Sequence, residues 1–211
     1  MTAWQWADGV QPHTRVDIAS RIHISDAAAD SRLAKAIQHR FVQLNRGDTP
    51  IVLLCIGTDR STGDALGPLV GSKVQPWANE RFHVYGTLDQ PVHATNLAKT
   101  MKMIDERHPD ATILCVDACL GKAESVGYMS VKEGPLLPGT GVNKQLPSVG
   151  HFHVVGIVNV AGFMEYFVLQ NTRLNLVMRM ADTIANAVRI WQKEAGRRVG
   201  SNETELLDPV L

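Results

Sequence analysis

Two short, unbroken apolar runs constrain this chain more than anything else in it. Ile51-Val52-Leu53-Leu54-Cys55-Ile56 lies between Pro50 and Gly57, and Ala111-Thr112-Ile113-Leu114-Cys115-Val116 ends at Asp117. Each run is strand-length, partly β-branched and free of polar alternation. Segments of that kind are strands covered on both faces, as in a parallel sheet flanked by helices.

The remaining pattern agrees with that arrangement. Leu33, Ile37, Phe41 and Leu44 recur at helical spacing over residues 30–45, and Gly47 suits a left-handed cap. A polar turn from Gly57 to Gly63 leads into a helix expected from Asp64, with Pro68 in its first turns, where a missing N–H costs least. A short strand is expected over 82–85, a break at Asp89-Gln90-Pro91, a helix with Leu97, Met101 and Ile104 running to about Arg107, and a turn at 108–110. Strands follow over 126–131 and 152–160, separated by a Gly/Pro loop at 134–141. Residues 163–169 fit strand or helix equally well. Leu174, Val177, Ala181, Ile184, Val188 and Trp191 form one stripe of a last helix, with Thr172 as its N-cap. Residues 1–25 read as an irregular arm carrying Trp4 and Trp6, and residues 196–211 as a polar tail, with fraying from Lys193. Strands alternating with helices predict a single α/β domain over 1–211 with a largely parallel sheet.

Several function classes are disfavoured. Lys plus Arg and Asp plus Glu both number 21, so nothing electrostatic favours nucleic acid or an anionic membrane. Three cysteines, Cys55, Cys115 and Cys119, are an odd count, two of them inside apolar runs, which argues for reduced thiols and a cytoplasmic setting. No stretch approaches the roughly 18–20 apolar residues of a membrane helix. The first residues lack the apolar core of a secretory signal. Apolar surface on the arm with Trp4 and Trp6 leaves self-association open.

In open α/β sheets, ligands bind beyond the carboxyl ends of the strands. That rule selects three loops: 57–64, with Thr58, Asp59, Ser61 and Asp64; 86–93, with Asp89 and His93; and 117–121, with Asp117 and Cys119. Asp117 leaves a buried strand, where a carboxylate is costly unless paired or bound. Asp64 alone reads equally well as a helix cap. Together, on loops that can meet at one sheet edge, the two aspartates form a candidate site. Two close carboxylates share a proton, so one activates water and the other acts as acid. They can equally ligate a divalent metal with a histidine as third ligand, His93, His151 and His153 being the candidates. The sequence itself requires no cofactor. The 57–63 loop lacks the Gly-Lys-Ser/Thr ending of a P-loop and is not GxGxxG, and its aspartates would repel phosphate. Cys119 reads as a small apolar filler more readily than as a nucleophile. No Gly-x-Ser-x-Gly elbow is present.

The segments CIGTDRSTGDALGPLV, ILCVDACLG and LLPGTGVNKQLPSVG, followed by a valine-rich strand, resemble the sporulation protein YyaC family over about residues 50–160, and the last helix fits the same type. That family is itself similar to the germination protease of spore-forming bacteria and, in fold, to hydrogenase maturation proteases. The resemblance implies a three-layer α/β/α sandwich of the phosphorylase/hydrolase-like kind. It places Asp64 and Asp117 where germination proteases carry two essential aspartates, and it puts Gly139 and Asn143, in the Pro138–Asn143 stretch, on a loop near that site. It also implies a protein or peptide substrate, such as small acid-soluble spore proteins, and the cytoplasm of a forespore or sporulating cell. Asp59, Asp89 and His93 would tune the pair. The hydrogenase maturation proteases bind metal through two acidic residues and a histidine; Asp64 and Asp117 fit the first two, and no histidine is an unmistakable match for the third. The chain is much shorter than a germination protease and lacks its large insertion. A protease-like scaffold that only binds a spore protein and a metal-dependent hydrolase therefore stand as alternatives to an endopeptidase.

Overall fold

A computed structural model describes residues 21–138 and 147–204, with the side chains of 195–204 excepted. Six strands form one sheet in the order β1-β5-β6-β4-β2-β3. β2 (Ile51–Cys55), β3 (Phe82–Tyr85), β4 (Thr112–Gly121) and β6 (Phe152–Val160) are mutually parallel. β5 (Tyr128–Glu133) runs antiparallel to β6, and β1 (Arg21–His23) antiparallel to β5. The fold is α/β with a largely parallel sheet.

The period-2 geometry of the strands divides the core in two. Leu53, Cys55, Leu114, Val116, Phe152, Val154 and Val158 face one layer, built from α1 (Ala29–Gln43), α2 (Leu66–Val74) and the start of α5 (Leu174–Thr204). Val52, Leu54, Ile113, Cys115 and Val155 face the other, where Leu97 and Ile104 of α3 (Leu97–Arg107) pack. Both faces of β2 and the first half of β4 are thus covered, which is why their sequences do not alternate. Trp191 is fully buried in the larger layer, edge-on to Phe41 of α1 and Phe82 of β3.

The strands expected over 82–85 and 152–160 and the helix over 97–107 stand at those positions. Four expectations need correction. The end of the irregular arm is the edge strand β1: its three residues, with Ile22 alone buried, are too few to show a period. β4 does not stop at Asp117 but continues to Gly121, because its ladder with β6 runs on past the carboxylate, with an irregularity between Cys119 and Leu120. Thr172 does not offer its hydroxyl as a cap; it donates to the Val168 carbonyl at 2.9 Å and accepts from the Asn159 amide at 3.2 Å. α5 runs to Thr204 rather than fraying at Lys193, since a polar stretch without proline keeps its backbone hydrogen bonds after its apolar stripe ends. The ambiguous stretch at 163–169 becomes the short helix α4 (Glu165–Gln170), entered through Met164 in the left-handed conformation. Among the described residues no helix is long and apolar enough to cross a membrane.

Trp191 is the largest side chain common to α1, β3 and α5. Its replacement in Trp191→Ala is expected to lower stability by about 3–5 kcal/mol, read from urea unfolding, because a buried aromatic leaves both lost transfer energy and a cavity.

Candidate active site

The chain leaves β2 and crosses one face through α2 to reach β3, then crosses the other face through α3 to reach β4. β2 and β4 are neighbours; the chain leaves β2 toward β3 on one side and leaves β4 toward β5 and β6 on the other, so the connections diverge at their carboxyl ends, the position where such sheets bind ligands. Consecutive N–H groups draw three segments to this point. Ile56 N donates to Val116 O at 2.8 Å, Gly57 N to Val92 O at 2.8 Å and Thr58 N to Asp64 O at 3.1 Å. The loop after β2, the segment before α3 and the end of the buried half of β4 are joined within three residues.

Gly57 permits this with φ at 143°, and a Cβ there would lie 2.0 Å from the Asp64 carbonyl oxygen. A Cβ on Gly67 of α2 would lie 2.0 Å from Ile56 O, so the helix backbone rests directly on the strand end. Asp64 sits in a 3-10 turn, Gly63–Ala65, ahead of α2. The cap positions there are Thr62 and Ala65, and neither makes a side-chain cap bond, so Asp64 is not spent as a helix cap.

Asp117 lies inside β4, opposite Val155 of β6, and is 9% exposed. Its Oδ1 accepts the Ala118 N–H at 2.9 Å. Burial pushes its carboxyl well above the ordinary range; the charge of Asp64 pushes it further, and the Ala118 bond opposes both. Burial also raises Asp64, while the nearby His93 holds it down. The two carboxyls are therefore close enough to feel one another, with Asp117 the better proton holder.

His93 is carried on a braced loop. Its N–H donates to Asn96 Oδ1 at 2.8 Å, Asn96 Nδ2 donates to Pro91 O at 2.9 Å, and its Nδ1 meets the Thr95 hydroxyl at 2.9 Å. Ser61 is buried and its hydroxyl has no partner among the described residues. Thr58 contributes its N–H to Asp64 O and accepts the Arg60 N–H at Oγ1. Asp59 and Asp89 are exposed, and among the described residues neither side chain has a hydrogen-bonded neighbour that ties it to the pair. Gly139 and Asn143 lie outside the described residues. His153 and His151 stand two and four residues before Val155, toward the amino end of the sheet. Their Nδ1 atoms are engaged by Gly134 O and Ile113 N, so neither reaches the pair. Burial raises the Cys119 thiol to about 11, a protonated and unreactive state. The Ala118 N–H and Asn96 were not among the expected site residues. A backbone donor leaves no trace in sequence, whereas an asparagine just before a helical stripe is a recognisable turn signal.

The metal alternative needs a third ligand. Among the described residues no group of three or more His, Cys, Asp or Glu side chains is placed to hold a metal ion.

The family model described as "Protein of unknown function (DUF1256)" matches residues 21–187. The chain belongs to this family. It is 54% identical over 158 residues to the "Uncharacterized protein YyaC" of Bacillus subtilis (strain 168), covering 75% of this chain and 77% of that protein. The resemblance read from three motifs thus extends from β1 into α5. Among solved structures the chain is similar to the NiFe hydrogenase maturation protease HycI from Thermococcus kodakarensis KOD1, at 15% identity and a TM-score of 0.45, over 72% of this chain and 98% of that one.

Two outcomes follow from the geometry of this sheet edge. Asp117 is protonated in the fold at pH values where the unfolded chain, with an aspartate near about 3.9, is ionised. The stability this contributes is complete below that value and is lost as pH rises toward the folded value. Asp117→Asn, which cannot ionise, is therefore expected to melt above wild type at about pH 7, with the difference closing near about pH 4. Gly57→Ala is expected to cost at least about 2 kcal/mol in urea unfolding, because its Cβ displaces the Asp64 carbonyl.

Proposed function

We propose that this protein is a hydrolase that uses Asp64 and Asp117 as an acid–base pair, most specifically an endopeptidase of the germination-protease type acting on spore proteins. The observation that carries the reading is Asp117: a carboxyl buried within a strand ladder, raised by burial and by a second carboxyl at the sheet's ligand-binding edge. A structural aspartate has no use for that arrangement, whereas an acid–base pair depends on environments that separate two carboxyls.

The chemistry follows from the asymmetry. Asp64, less buried and facing the charge of His93, is the carboxylate. It accepts a proton from water as the water oxygen bonds to the scissile carbonyl carbon. Asp117 holds its proton and delivers it to the amine nitrogen as the C–N bond breaks. His93 opposes the rise that burial gives the Asp64 carboxyl, and Asn96 fixes the loop that carries His93. Peptide N–H groups of the 57–63 loop supply donors to the developing oxyanion. Proton exchange with solvent restores the pair.

The test is incubation of wild type, Asp64→Asn and Asp117→Asn with a purified small acid-soluble spore protein, read by mass spectrometry. Wild type should release defined fragments. Each variant, melting cooperatively, should lose at least about 100-fold in rate, the scale of a positioned acid or base. The wild-type rate should show a bell-shaped pH profile, as one proton is shared by two groups. Fragments produced equally by both variants would remove the aspartates from the mechanism. Chelator treatment followed by zinc or nickel is expected to change neither rate nor thermal midpoint; a midpoint that rises with metal in wild type but not in Asp117→Asn would restore the metal alternative.

A further inference from the structure

The segment after β6 exposes side chains that a folded domain normally covers. Phe163 is 96% exposed, Met164 61%, Tyr166 58% and Phe167 53%, and Val160 at the strand end is 41% exposed. Isolated exposed apolar residues are ordinary, but a contiguous group on one helix and its entry turn marks an interaction surface. With Asn159 and Asn171, Val160, Phe163 and Phe167 line an open groove between the end of β6 and α4. Tyr166 and Phe167 meet edge to face at 5.9 Å.

This surface is fixed to the candidate site. Asn159 of β6 donates from Nδ2 to Val168 O and Thr172 Oγ1, both at 3.2 Å, and the Thr172 hydroxyl donates to Val168 O. Gly63 backs onto the same helix: a Cβ there would meet the Leu169 side chain and Thr172 Oγ1 at 2.8 Å. Gly63 immediately precedes Asp64, so α4 is seated on the turn that presents the candidate base. On the other side, Ala161 N donates to Gly121 O at 2.7 Å, which joins the groove to the end of β4. Gly121 is four residues beyond Asp117, about 13 Å at strand rise.

We infer that the groove and aromatic face of α4 bind an apolar segment of an extended polypeptide substrate, two to four residues from the bond held at Asp64 and Asp117; this rests on the hydrolase reading of that pair. Continuity selects this occupant. The surface begins where the candidate site ends, at a distance an extended chain covers in about four residues. Flat aromatic rings supply large contact area to an unfolded segment at small entropic cost.

The test measures binding, so that it stands apart from cleavage. Two fluorescein-labelled 12-residue peptides are compared by polarisation, identical except for a central Leu-Phe-Leu or Ser-Asn-Ser triplet. They are titrated with wild type, with Asp117→Asn, and with the Phe163→Ser/Phe167→Ser double variant. Both rings are largely exposed, so the double variant should keep the wild-type thermal midpoint. The apolar peptide is expected to bind wild type and Asp117→Asn at least about tenfold more tightly than the polar one, and the double variant should lose that difference. No preference in wild type, or a preference kept in the double variant, overturns the inference. So does a wild-type dimer in sedimentation that dissociates in the double variant and binds neither peptide, which would make a second copy of this chain the occupant. Apolar binding without cleavage of any spore protein would leave the groove standing and the hydrolase reading refuted. Cleavage without apolar preference would do the reverse.

Discussion

Three successive peptide N–H groups, at Ile56, Gly57 and Thr58, reach three segments far apart in sequence: β4, the segment before α3, and the turn that carries Asp64. Everything at the carboxyl edge of the sheet hangs from this short stretch. It exists because α2 comes down on the end of β2 with no side chain between them, through Gly67, and because Gly57 takes a backbone conformation that a side chain would obstruct. The helices on either face set the layers, but these hydrogen bonds bring the two aspartates within reach of one another.

The pair is placed at a cost. A carboxyl in the ladder of a parallel sheet is desolvated on every side, and Asp117 recovers little of that through one bond from Ala118. Leucine or valine at that position would hold the core better. A raised carboxyl beside a second one costs stability, and breaches of the local rules of packing are expected at functional or strained sites. Ser61, buried beside this edge with no partner for its hydroxyl among the described residues, breaks the same rule in a smaller way.

Much of the scaffold was legible because burial leaves a period. The unalternated runs at 51–56 and 111–116 announced covered parallel strands, and the stripes through Leu97 and Val177 announced the helices. Signals failed where structure is held by backbone bonding rather than burial. β1 has one buried residue, the polar half of α5 has no stripe, and β4 carries on beyond a carboxylate that looks like a stop. The site was partly visible for the same reason. Asp117 stood out against six apolar neighbours, and the sheet-edge rule pointed to loops that the structure brings together by backbone hydrogen bonds. It could not rank the residues within them, so Asp59 and Asp89 looked equal to His93, although the chain turns the first two outward and braces the third.

Placing Asp117 inside β4 also ties reactivity to strand register. Val155 faces it across the ladder, on the α3 side of the sheet, while Ala118 and Gly156 form the next pair, facing Leu66 and Met180 in the larger core. A slip of one residue would turn the carboxyl from the α3 side into that core, among groups that cannot solvate it. Chains with β4 misaligned would thus bury an unsolvated carboxyl as well as lose a sound interior. The same carboxyl that weakens the correct sheet would penalise a slipped one more.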